Sequence, residues 1–115
     1  MEQLLNLATA ALSEKKAIDP VLLNVSRLSD VTDYFLICSG QTPIQVRAIA
    51  DNLSDRVVAA GIGLPKKEGY QDGRWILMDF GALVVHIMNQ SERDFYALEK
   101  LWHDAPRLPV DQEMQ

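Results

Sequence analysis

The candidates for metal ligation in this 115-residue chain are Cys38, Asp79, His86 and His103, whose side chains also serve acid-base and nucleophilic work. A metal centre needs ligands paired at short spacings, and no two of these stand so. No metal is expected. A nucleophile could be built from Cys38 or Ser39 with His86 as its base. Cys38, however, lies inside the apolar run Tyr34-Phe-Leu-Ile-Cys38, where a thiol is inert packing. Ser39 and Gly40 precede a helix start that could receive an anion. A strand-to-helix turn that needs a small residue and a cap accounts for the same residues. Phosphoryl or nucleotidyl transfer would call for a glycine-rich phosphate loop, which is missing, or for paired carboxylates. Asp30 and Asp33 are close enough in sequence to point together, but acid- and hydroxyl-rich turns arise from local capping. An enzyme is the weaker class, and no cofactor is expected.

Recognition chemistry is concentrated elsewhere, in Trp75-Ile-Leu-Met-Asp-Phe-Gly-Ala-Leu-Val-Val-His-Ile-Met88, two apolar runs hinged at Gly81. A two-residue hairpin loop at Gly81-Ala82 sets Phe80 opposite Leu83, Met78 opposite Val85 and Ile76 opposite Ile87. Side chains alternate with period two, so these apolar residues share one face, and that face is core. The other face carries Trp75, Leu77, Asp79, Val84, His86 and Met88. A tryptophan, a carboxylate and an imidazole among aliphatics point to contact with a partner. The chain's own helices could also cover this face, because a sheet in an α/β domain wants both faces covered.

The whole chain reads as one mixed α/β domain. Its 48% hydrophobic and 23% charged content is ordinary for a soluble globular protein, and no apolar run reaches the roughly 18 residues of a membrane span. Met1-Glu-Gln-Leu-Leu lacks a basic segment, so no secretory signal is expected, and the single Cys38 suits a reducing cytoplasm. A net charge of −5 with scattered basic residues argues against binding nucleic acid through phosphates. An acidic surface suits a basic partner.

In chain order, Leu4, Leu5, Ala8, Ala11 and Leu12 predict a helix over residues 2–16, ended by Ile18-Asp-Pro20. Residues 21–25 read as a strand, 26–33 as a loop and 34–38 as a central strand buried on both faces. Thr42, Pro43 and Gln45 form a helix start with a capping-box pattern, and Gly61 closes that helix. Lys66 to Tyr70 predict an edge strand. A last helix runs from Ser91 to about His103. Phe95, Leu98, Leu101 and Trp102 are its core stripe, and Glu92, Tyr96, Glu99 and His103 are a second stripe. Tyr96 and Glu99 could extend the Trp75/Leu77/Asp79 patch. The domain spans residues 1–105, and 106–115, after Pro106 stops the helix, read as a frayed tail.

Several separated segments resemble the ribosomal silencing factor (RsfS, Iojap) family. They are Asp33-Tyr-Phe-Leu-Ile-Cys-Ser-Gly-Gln-Thr42, Gln45-Val-Arg-Ala-Ile-Ala-Asp51, Trp75 to Met88, and Arg93-Asp-Phe-Tyr-Ala-Leu-Glu-Lys-Leu-Trp102. The likeness covers roughly residues 3–104; Ala82 departs from the acidic or polar residue common after the glycine. The resemblance implies a nucleotidyltransferase-like fold with a mixed sheet flanked by helices, lacking the catalytic carboxylates. It also implies binding to the large ribosomal subunit through its ribosomal protein number fourteen, blocking association with the small subunit and so repressing translation. Homodimers when free are implied as well. Carried over by motif position, the contact residues are Trp75, Leu77, Asp79, His86, Tyr96 and Glu99. Trp75 and Tyr96 are expected as buried anchors, Asp79 and Glu99 as partners of Lys or Arg, and His86 as a packing or hydrogen-bonding group. Alternatives are a nucleotidyltransferase-like enzyme and a large-subunit assembly factor.

Overall fold

The computed structural model describes residues 2–110. Six strands form one sheet in the order β3-β4-β5-β2-β1-β6: β1 (Ile18–Asn24), β2 (Tyr34–Gly40), β3 (Lys66–Glu68), β4 (Trp75–Asp79), β5 (Leu83–Asn89) and β6 (Arg107–Leu108). The helices are α1 (Glu2–Glu14), α2 (Pro43–Ala59), α3 (Gln90–Tyr96) and α4 (Leu98–Leu101). The mixed α/β class expected from the sequence is the one adopted. β2 and β5 are parallel neighbours, and the remaining pairs are antiparallel. A parallel pair needs a long crossover, and α2 lies within the one that joins β2 to β5.

The β4–β5 hairpin has the expected register, with Ile76 opposite Ile87 and Met78 opposite Val85. Asp79 fixes the turn by accepting the Gly81 backbone N–H at 2.7 Å on its Oδ1. Ile76, Met78, Leu83, Val85 and Ile87 are fully buried, with Phe80 packed at their edge. They join Leu36 and Cys38 of β2 under α1 and α2, whose Ala8, Leu12, Val46, Ile49 and Leu53 close this main core. Thr42 caps α2 by accepting the Gln45 N–H at 3.1 Å. Gln45 reaches back to the Gln41 N–H at 2.8 Å, one residue before the position a capping box would use.

Several sequence expectations give way. The first helix stops at Glu14, where Lys16 turns left-handed at φ 58°. Ile18, Asp19 and Pro20 therefore open β1 rather than end the helix, and a bulge between Ile18 and Val21 accommodates the proline. The last helix is two helices. Ala97 adopts φ 48°, ψ 53° and breaks the run, so the single stripe through Phe95, Leu98, Leu101 and Trp102 does not form. Phe95 is 80% exposed and Leu101 72%, whereas Leu98 and Trp102 still pack inward. Past the expected boundary at 105, Arg107–Leu108 pairs with β1 as an edge strand. Residues 111–115 of the expected tail lie outside the described residues.

The turn before β4 is tight where it meets the hairpin. A Cβ on Gly69, at φ +82°, would sit 2.1 Å from the Trp75 carbonyl oxygen, while one on Gly81, at φ +91°, would meet nothing within 4 Å. Gly69→Ala is expected to cost about 3 kcal/mol, from strain plus clash, and Gly81→Ala about 1 kcal/mol, from strain alone. Urea unfolding of both variants measures this; equal losses would contradict the packing of this turn against Trp75.

Candidate functional site

The second face of the sheet is covered over only part of its width. Val21, Leu23 and Val25 at the β1 side join Ile37 and Met88 in a smaller core that Leu98, Trp102 and Ala105 close from above. Toward β4 the cover ends, and Leu77, Asp79 and Val84 stay half-buried. The chain's own C-terminal segment therefore covers one side of this face, and the other side is open.

At the border between the two zones stands a row of rings. Phe95 meets Tyr96 edge-on at 5.0 Å between ring centroids, and Tyr96 lies 5.0 Å from Trp75 at 50°. Trp75 is followed by His86 at 5.9 Å, His86 by Phe35 at 4.9 Å, and Phe35 by Trp102 at 5.1 Å. Edge-to-face and tilted pairs at these separations are favourable, each adding about 0.5–1.5 kcal/mol to area burial. The row thus runs from an exposed end at Phe95 and Tyr96 through the buried His86 to the half-buried Phe35 and Trp102.

Trp75, Leu77, Asp79, His86 and Tyr96 come together here, but they play different parts. The Trp75 indole N–H donates to His86 Nδ1 at 3.1 Å. An acceptor Nδ1 means that the neutral imidazole carries its proton on Nε2. His86 is buried, its Nε2 has no partner among the described residues, and burial pulls its pKa from 6.5 down to about 4. It faces no solvent, and its position makes it a support under Trp75. Glu99 also turns inward: its Oε2 accepts from Arg93 Nε at 3.0 Å. Asp79 is half-buried, and its Oδ1 is taken by the Gly81 N–H of the hairpin turn.

Sequence reasoning missed Phe35, the exposed Phe95, and above all Arg93. Arg93 and Glu99 are six positions apart, about 240° around a continuous helix, so only the break at Ala97 lets them meet. The one available signal was Arg93 itself, a cation one turn into a helix start, where the dipole disfavours positive charge.

The catalytic constellations dissolve. Cys38 points into the main core under α2, on the opposite face of the sheet from His86, and burial pushes its thiol up to about 12. Ser39 Oγ donates to Gln90 Oε1 at 2.7 Å and lies out of solvent. Asp30 and Asp33 are both exposed on the β1–β2 loop. Among the described residues no three metal-ligating side chains converge, and no helix is long and apolar enough to cross a membrane.

Known proteins resemble this chain over its full length. The family model described as ribosomal silencing factor during starvation matches residues 1–115. The chain belongs to the ribosomal silencing factor family. It is 44% identical over 110 residues to the ribosomal silencing factor RsfS of Bacillus subtilis, covering 96% of this chain and 93% of that one. It is also 30% identical over 101 residues to the mouse protein called mitochondrial assembly of ribosomal large subunit protein 1, covering 85% of this chain and 44% of that one. A crystal structure from Bacillus halodurans superposes with a TM-score of 0.84 at 42% identity, covering 96% of this chain and 100% of that one. A ribosome-associated regulatory role follows from that membership.

The buried imidazole carries a pH signature. Unfolded, His86 takes up a proton as pH falls through 6.5; folded, it resists until about 4. Between these values the unfolded state binds more protons, so stability falls as pH drops, by up to about 3 kcal/mol. His86→Gln, which can still accept the indole N–H, is expected to flatten that decline. Urea midpoints from pH 7 to pH 4 measure it, and an unchanged slope in the variant would contradict a buried neutral imidazole.

Proposed function

We propose that this protein binds the large ribosomal subunit in the cytoplasm through ribosomal protein number fourteen, and that the bound chain blocks joining of the small subunit. Occupying a joining surface needs no bond made or broken, which suits a chain in which the candidate nucleophile set Cys38, Ser39 and His86 is buried in packing. The observation that carries the reading is the exposed end of the aromatic row. Tyr96, about half exposed, leans on the half-buried Trp75 beside the open strip of Leu77 and Val84. Tyrosine and tryptophan bury large areas at small entropic cost, and they are enriched among residues that dominate interfaces.

Net charge supports the same partner. The chain carries −5 overall, although the strip's own edge is mixed, with Glu68 opposite Leu77 and Lys66 opposite Asp79. A net acidic chain attracts a basic protein. The mouse relative's name, which refers to assembly of the ribosomal large subunit, points to that subunit as well. Trp75, Leu77, Asp79 and Tyr96 are the direct contacts in this reading, with His86 acting beneath Trp75. A second copy of the chain seated on the same strip would hide it, so homodimer and ribosome-bound forms would compete.

Sedimentation of large subunits with the purified chain tests the proposal. The chain is expected to pellet with large subunits and to reduce their joining with small subunits. Trp75→Ala is expected to weaken binding by more than about 1–2 kcal/mol, the scale of an interface anchor. Failure to pellet, or undiminished joining at saturation, would overturn the reading.

A further inference from the structure

Tyr96 reaches the aromatic row from α3, a seven-residue helix too short to hold its own direction. Something outside the helix has to aim it. Arg93, one turn earlier, is placed to do so. Its side chain is 4% exposed, and its guanidinium is bonded in three directions. Nη1 donates to the Ile18 carbonyl at 3.0 Å and to Ser39 Oγ at 3.2 Å, and Nη2 donates to the Asp19 carbonyl at 2.8 Å. These bonds fasten α3 to the start of β1 and the end of β2. Nε donates to Glu99 Oε2, fastening α4 to α3 across the left-handed Ala97.

We infer that Arg93 and Glu99 are positioning residues for the partner-binding strip, a latch that sets α3 against the sheet and holds Tyr96 on Trp75 before any partner arrives. The inference rests on the reading of that strip as the ribosome-binding one. It also reassigns Glu99, which the sequence reading expects to pair directly with a partner's Lys or Arg. Oε2 is taken by Arg93 and Oε1 is out of solvent, so neither oxygen is presented to another molecule. A ring already held in its bound position avoids the ordering cost that binding would otherwise carry.

The two roles for Glu99 separate on one substitution series, titrated onto large subunits at two salt concentrations. In Glu99→Gln the amide oxygen can still accept from Arg93. Its affinity is expected to stay within about twofold of the parent, while Glu99→Ala falls about tenfold, the cost of ordering one or two side chains at an interface. The salt dependence of Kd is expected to be unchanged in both. If Gln and Ala weaken binding alike and the salt dependence becomes shallower, Glu99 pairs directly with the partner and the latch is overturned. If Trp75→Ala binds weakly while a folded Glu99→Ala binds like the parent, the latch fails and the strip stands. Arg93→Lys keeps the charge but not the fork that spans these acceptors, and is expected to weaken binding about fivefold. Should Glu99→Ala not fold, unchanged affinity in Arg93→Lys overturns the latch.

A reading without ribosomes keeps the two claims apart. The indole N–H signal of Trp75 in a proton–nitrogen spectrum, identified by its loss in Trp75→Phe, reports where the Tyr96 ring sits. The latch requires that signal to move in Glu99→Ala and to hold in Glu99→Gln. A signal fixed in both variants overturns the latch whatever the ribosome assay gives. A signal that moves, combined with parent-like binding by Trp75→Ala, supports the latch and removes the strip.

Discussion

The open strip beside Trp75 depends on the register between β4 and β5, because the pleat assigns every second residue to one side of the sheet. Ile76 opposite Ile87 and Met78 opposite Val85, with Leu83 beside them, put five fully buried residues under the helices, and the same alternation puts Trp75, Leu77 and Asp79 on the far side. A slip of β4 by one residue would send the Asp79 carboxylate toward the main core, and a slip of β5 would send the His86 imidazole there. Two local devices oppose either slip. The Asp79 carboxylate holds the Gly81 N–H, and the Phe80 N–H bonds the Leu83 carbonyl at 2.8 Å. The parallel pairing with β2 then carries the alternation across the sheet, so that Phe35 and Ile37 share a side with His86 and Trp75.

From that constraint follows a face that is neither core nor open surface. Its β1 side is closed by Leu98, Trp102 and Ala105, while its β4 side is left with half-buried Leu77 and Val84. The aromatic row bridges the two zones, and the buried His86 at its middle orients Trp75. His86 is the key support: its desolvation holds it neutral, and neutrality leaves Nδ1 free to accept the Trp75 N–H. A charged imidazole would have two donors and no acceptor for the indole. Burial of one histidine and orientation of one tryptophan are thus the same fact.

How legible this was depends on how local the signals are. The hairpin register could be read because Gly81 marks the turn and the apolar alternation on each side is strict. The α2 helix could be read because Thr42, Pro43 and Gln45 mark its start with residues whose side chains do the capping. The break at Ala97 could not, because alanine is the strongest helix former and nothing in its chemistry announces a left-handed residue. A single continuous helix through this position therefore puts Phe95 and Leu101 on the core stripe and aligns Glu99 with Tyr96 rather than with Arg93, whereas only Leu98 and Trp102 of that stripe pack inward. The strand at Arg107–Leu108 is two residues long and follows a proline, too short for any period to show. That Trp75 and His86 shared a face was visible in sequence. That one of them lies beneath the other depends on which side of the sheet the last helices cover, and that is a tertiary fact.

The claim that matters most is that the strip bearing Trp75 and Tyr96 meets ribosomal protein number fourteen. Its most direct test places a photoreactive phenylalanine at position 96, irradiates the chain with purified large subunits, and identifies what is joined to it. This reading requires a crosslink to ribosomal protein number fourteen that disappears when unlabelled chain competes. Crosslinks confined to another ribosomal component, or none on subunits that retain the bound chain, would contradict it.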